Sequence, residues 1–179
     1  MTDIINADQT SFLPSSYESV QAQELASEAF PQASFVYNEE YDQTNTSKSL
    51  MRALQASQPG GVLWMNVDVV FDPRILGRAI EFIERDESMV TVNTAKVSDE
   101  EVKYTVTAEG FINELSKTVV GGIGEAVGIN YISSRDKAAF IAQLKRVGDQ
   151  DYFERGLELA IAENALRVAP LDISDLYAV

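Results

Sequence analysis

The segment with the clearest chemical content is Asn66-Val67-Asp68-Val69-Val70-Phe71-Asp72-Pro73, which closes the apolar run Val62-Leu63-Trp64-Met65-Asn66-Val67 on a carboxylate. A buried strand with Asp68 at its carboxyl end places that group where open α/β sheets bind ligands, and a carboxylate there suits Mg²⁺. Asp68 also has a plain structural reading as the cap of a turn, and Asp72 before Pro73 reads as a helix cap. The chain has no histidine and no cysteine. Imidazole acid–base chemistry, thiol nucleophiles and sulfur–nitrogen zinc sites are thereby excluded. Any metal must be held by oxygen, and Mg²⁺ is typically held by one or two carboxylates plus substrate phosphates. Phosphate chemistry is therefore favoured.

The 179 residues carry 14 Lys and Arg against 28 Asp and Glu, a net charge of −14. Such a surface repels a phosphate backbone, so no nucleic-acid partner is expected. With 45% hydrophobic and 23% charged residues, the composition is that of one globular domain spanning 1–179. The opening MTDIINADQTSF has no basic targeting region, and no stretch reaches the roughly 18 to 20 apolar residues of a membrane span. No membrane partner and a cytoplasmic location are expected, and the lack of cysteine fits a reducing compartment.

The elements that must position Asp68 follow from periodicity. Ser15-x-x-Glu18 has capping-box spacing and Pro31 is a stop, so 15–29 reads as a helix. Ser34-Phe35-Val36-Tyr37 reads as a short buried strand. Leu50, Met51 and Leu54, behind caps at Thr44, Asn45 or Thr46, predict a helix to about Ser57. The turn Gln58-Pro59-Gly60-Gly61 leads into the 62–67 strand. Ile75, Leu76, Ala79, Ile80 and Ile83 then keep helical spacing. Strands are predicted at Met89–Thr94, at Val102–Thr107 and Phe111–Leu115 as a hairpin turning at Gly110, and at Glu125–Ile132 after Gly121-Gly122-Ile123-Gly124. Two helices close the chain, marked by Phe140, Ile141, Leu144 and Val147, and by Tyr152, Phe153, Leu157, Ala160 and Ile161. A last strand is expected at Leu166–Ala169. The fold class is α/β: three layers, a mostly parallel sheet flanked by helices, with an antiparallel hairpin insertion.

Four ordered segments carry a resemblance: VLWMNVDVVFDP, EEVKYTVTAEGFINELSKTV, GEAVGINYIS, and the stretch from Val36 to Leu50, which looks like "YNPxYxxTNxxxSL". Together they resemble the nucleotidyltransferases that make sugar nucleotides and CDP-choline, the last stretch matching the phosphocholine cytidylyltransferase-like branch. The match places the family's Mg²⁺-binding Asp on Asp68, with Val67 where the family's "GDxxF" has glycine. "E-x-V-K-V…DG" falls on Glu101-Val102-Lys103-Tyr104 and Glu109-Gly110, and "GE-x-x-G-I" on Gly124 to Ile129.

The resemblance implies Mg²⁺-dependent transfer of a nucleotidyl group from an NTP, with CTP favoured, to a phosphorylated small alcohol such as phosphocholine or a sugar 1-phosphate, releasing pyrophosphate. It assigns Asp68 to the metal, Asn45 and Ser49 to the nucleotide side, Glu125 to the acceptor side and Lys103 to phosphate contact. Each has a structural alternative: a helix cap for Asn45 or Thr44, and an ordinary strand position for Glu125 and Lys103. The chain lacks the family's opening "LAAGxGxRL…PK" loop, has no Lys or Arg before Lys48, and ends about where the family continues into a strand with a second metal-binding Asp. An absent first strand and terminal elements are thus expected, with a homo-oligomer or partner chain covering the unpaired edge. A truncated or degenerate non-catalytic binding or assembly module on the same scaffold is the alternative function.

Overall fold

The computed structural model describes Glu24, residues 26–28, 30–66, 68–95 and 101–178, and the backbone of Asp3–Asn6. The elements are β1 (Asp3–Asn6), α1 (Thr46–Ala56), β2 (Val62–Met65), α2 (Arg74–Arg85), β3 (Met89–Asn93), β4 (Lys103–Val106), β5 (Ile112–Ser116), β6 (Gly124–Ile132), α3 (Lys137–Arg146), α4 (Phe153–Ala162) and β7 (Ala169–Asp172).

One sheet runs β1-β2-β6-β3-β7, with β4 added to β6 and β5 to β4. The parallel pairs β1–β2 and β3–β7, joined through an antiparallel β6, give four strands the same direction. The hairpin β4–β5 turns back over β6. The α/β class with an antiparallel insertion is thus observed.

Alternation along the strands builds the three layers. On β2, Val62 and Trp64 join Leu50, Leu54, Phe140, Leu144, Phe153 and Leu157 on the face covered by α1, α3 and α4. Leu63 turns the other way, to Ile75 and Ala79 of α2 and to Met89, Ile129 and Leu171. Trp64 is fully buried, stacked on Phe140 at 5.8 Å between ring centres and edge-on to Phe153 at 5.7 Å. Buried aromatic contacts of this kind dominate core energetics.

Four expectations are corrected or restricted. Ser34–Tyr37 is not a strand: it has no sheet partner among the described residues, and Ser34 and Tyr37 are exposed. The last strand is Ala169–Asp172 rather than Leu166–Ala169, because the approach segment is held by the hairpin, Ile112 N–H donating to the Val168 carbonyl at 2.9 Å, before pairing with β3 begins at Met89. The first strand is not absent: the Asp3–Asn6 backbone pairs parallel with β2, from Asp3 opposite Val62 to Asn6 opposite Met65. Of the 15–29 helix, Glu24 and Ala26–Glu28 are helical and the remainder lies outside the described residues, as do residues 7–23. Among the described residues no helix is long and apolar enough to cross a membrane.

Candidate functional site

Asp68 lies in a turn just past β2 and is exposed, with no hydrogen bond or ion pair to another described residue. The turn is fastened by β6. Asn66 N–H donates to the Gly128 carbonyl at 2.9 Å. Gly128 sits in a bulge, where the β3–β6 register jumps from Val90 opposite Asn130 to Val92 opposite Ala126. Its φ is +86°, and a β-carbon there would fall 2.9 Å from the Asn66 amide and 3.2 Å from Val69. Only glycine allows that approach. The buried Thr91 hydroxyl repairs the bulge, donating to the Ile129 carbonyl at 2.8 Å and accepting from Ile129 N–H.

Lys103 and Glu125 face each other across β4 and β6, both half-buried. Directly opposed side chains of opposite charge interact at this spacing. A β-carbon on Gly122 would lie 2.8 Å from that of Lys103, so the Gly-rich loop lies flush on the start of β4. The pair stands three residues before Gly128, roughly 10 Å along the strand. Asp68, Lys103 and Glu125 therefore line one edge of the sheet, the carboxyl edge of its parallel strands, without forming one cluster.

Asn45 and Ser49 stand at the amino end of α1 and are engaged in the fold. Asn45 caps the helix, its side-chain oxygen accepting from Thr46 N–H at 2.7 Å, while its own N–H donates to the Asp149 carbonyl. Ser49 accepts from the buried Asn38 amide at 2.9 Å, which also donates to Thr44 at 2.8 Å. The Asn38, Thr44 and Ser49 spacing is thus the signature of a hydrogen-bonded knot that anchors the loop to the helix. The cap alternative for Asn45 is the observed one.

Two features escaped sequence reasoning. Asp172 ends β7 at the same sheet edge, its carboxylate accepting from the N–H and hydroxyl of Ser174. Beyond it the chain doubles back across that edge: Ser174 bonds Thr94, Arg78 clamps Asp175 through bonds of 2.7 and 2.6 Å, and Ala178 bridges Phe71. The Asp-x-Ser turn after Leu171 was the available signal. The N-cap of α2 is Pro73 rather than Asp72, but the Asp72 carboxylate accepts from Arg74 N–H at 2.9 Å, and bonds from the Arg74 side chain help lower its pKa to about 2.

Among the described residues no three acidic side chains gather to hold a metal. Mg²⁺ needs fewer when phosphates complete its shell. Among the described residues the Asp68 carboxylate has no partner, and neither does the buried Asn66 side-chain oxygen, two residues earlier. An oxygen-only donor set of this kind fits Mg²⁺ carried in with a phosphorylated substrate.

No protein-family model and no curated protein sequence matches the chain. Solved structures do. The inositol-1-phosphate CTP transferase from T. maritima superposes with a TM-score of 0.71 at 13% identity, over 88% of this chain and 64% of that one. The CTP:phosphocholine cytidylyltransferase from Streptococcus pneumoniae gives 0.64 at 11% identity, over 90% and 69%. The nucleoside-diphosphate-sugar pyrophosphorylase from Vibrio cholerae RC9 gives 0.62 at 9%, over 90% and 72%. The chain spans less than two thirds of the T. maritima protein's length. It has the fold that these nucleotide-transferring proteins share, the nucleotidyltransferase fold.

Proposed function

We propose that the chain belongs functionally with the nucleotidyltransferases and handles an NTP, CTP in first place, together with a phosphorylated small alcohol such as phosphocholine or a sugar 1-phosphate. The observation that carries this reading is Asp68, an exposed carboxylate without a partner among the described residues, on a turn held by the Asn66–Gly128 contact at the carboxyl edge of the parallel strands. Support for CTP comes from the Val36–Leu50 stretch and from two superposable structures whose names specify it.

In the proposed reaction an acceptor phosphate oxygen forms a bond to the α-phosphorus. The bond from that phosphorus to the bridging oxygen breaks, and pyrophosphate leaves with the electron pair. Positioning and charge neutralisation supply most of such catalysis, so the lack of histidine is no obstacle. Asp68 would hold Mg²⁺, which would neutralise phosphate charge when bound. Lys103 meets a phosphate oxygen and Glu125 orients the acceptor. Asn45 and Ser49 act by holding the loop before α1 in place.

The test is calorimetric titration of the chain with CTP, UTP, GTP, ATP and dTTP, with and without Mg²⁺, followed by a pyrophosphate-release assay. Saturable Mg²⁺-dependent binding that Asp68→Asn abolishes supports the reading. Absence of heat with all five nucleotides, from folded protein, overturns it. A second reading, a non-catalytic binding or assembly module completed by another copy or a partner chain, is favoured by one observation: Asn45 and Ser49 already spend their side-chain bonds inside the fold. Nucleotide binding without pyrophosphate release is its expected signature.

A further inference from the structure

A concave site whose lining does not include Asp68 lies between α1, the loop before it and the end of α3. It is a cavity of about 370 Å³ lined by Glu40, Gln43, Thr44, Lys48, Met51, Arg52, Lys145 and Asp149. That volume is at the small-molecule end of ligand pockets. Its charge is unusual for this protein. Three cations face two carboxylates here, in a chain whose acidic residues outnumber its basic ones two to one.

The donors are only partly spent. Lys48 and Arg52 stand four residues apart, on one face of α1. Lys48 is nine-tenths buried, and its ammonium donates to the Leu144 and Val147 carbonyls at 3.1 and 2.7 Å. An ammonium has three N–H donors, and the nearest carboxylate for the third, Asp149, stands 3.6 Å away with a mostly exposed side chain. Arg52 binds Glu40 through one terminal nitrogen at 2.5 Å, while its buried Nε–H has no acceptor among the described residues. Lys145 is exposed and has no partner among the described residues. Arg74, Arg78, Arg146 and Arg155, unlike Lys145, each have a carboxylate in contact.

We propose that this cleft binds a small phosphate-bearing anion through Lys48, Arg52 and Lys145. A phosphate dianion offers several acceptor oxygens, enough for the Arg52 guanidinium, the third Lys48 proton and Lys145 together, and a planar guanidinium matches its geometry. Glu40 and Asp149 both have mostly exposed side chains and swing aside as the anion enters. Free inorganic phosphate and a phosphorylated small alcohol share the recognised group.

The experiment is calorimetry and thermal melting of the full chain in inorganic phosphate, and separately in glycerol 3-phosphate, each against chloride at equal ionic strength. Phosphate is expected to raise the melting temperature above chloride, equally in the native chain and in Asp68→Asn. Lys145→Gln removes an exposed side chain without a partner among the described residues and is expected to weaken binding about tenfold, with further loss in Arg52→Gln/Lys145→Gln. The Arg52 Nε–H resonance is expected to shift on titration. Tighter binding of the ester identifies a phosphorylated alcohol as occupant, and equal binding identifies the phosphate group alone. Identical melting in phosphate and chloride, unchanged affinity in both variants, or loss of binding in Asp68→Asn overturns the proposal, the last by placing the anion at the Asp68 edge.

Discussion

The Asn66 side chain occupies the space that a β-carbon on Gly128 would need, only 2.9 Å away, and the Asn66 N–H is bonded to the Gly128 carbonyl. The turn that presents Asp68 is therefore aligned by a bulge in the neighbouring strand rather than by the strand it follows. The bulge holds its own shape through the Thr91 hydroxyl. The "GE-x-x-G-I" segment thus acts on the Asp68 turn through backbone geometry.

Gly128→Ala is expected to destabilise the fold by about 1–3 kcal/mol, the cost of a strained positive-φ residue, with the Asn66 contact adding to it. Urea unfolding measures the loss. If the turn is the ligand platform, Mg²⁺–nucleotide binding weakens in the same variant under conditions where it remains folded. Unchanged stability sinks the close-approach argument.

Asp68→Asn separates function from fold. The carboxylate is exposed and makes no bond to another described residue, and surface substitutions of this kind usually change stability within about 0.5 kcal/mol. Urea midpoints of the variant and the native chain are expected to coincide while Mg²⁺-dependent nucleotide binding disappears. A large stability loss would instead mark Asp68 as a structural turn residue.

The elements near Asp68 were legible because their signals are local. Val62 to Met65 is apolar on both faces, as a covered strand must be, and Asn45 before Leu50 and Leu54 announces a capped amphipathic helix. Ser34–Tyr37 misled because β-branched and aromatic residues fit a strand without naming its partner. Leu166 and Val168 misled for a related reason: both are buried, yet against the hairpin and helices rather than within the sheet. The Gly128 bulge, the Asn38 knot and the return of Ser174 to Thr94 depend on contacts between distant segments, which no window of sequence displays.

Lys48 was read only as the first basic residue of the chain, and its place is structural as well. Its ammonium binds two carbonyls at the carboxyl end of α3, groups that a helix leaves without internal partners. Lys48→Met keeps the apolar stem and strands both carbonyls. The expected loss is about 1–3 kcal/mol for the unsatisfied groups, read by chemical denaturation. A variant as stable as the native chain shows that water replaces the ammonium without cost.

Acid stability tests the clamp at the start of α2. The Asp72 carboxylate accepts from the Arg74 side chain at 3.1 and 2.6 Å and from its N–H at 2.9 Å, and these bonds lower its pKa from 3.8 to about 2. Asp175 is lowered in the same direction by its bond to Arg78. A depressed folded-state pKa means that the unfolded chain binds more protons in that interval. The stabilisation is thus complete above pH 3.8, and it is lost as the pH falls from 3.8 towards about 2. Arg74→Gln returns the Asp72 titration towards 3.8, so unfolding free energy falls less steeply across that interval than in the native chain. Carbon-detected NMR titration of the Asp72 carboxyl checks the same point directly, and a midpoint unmoved by Arg74→Gln shows that the guanidinium is not what holds it down.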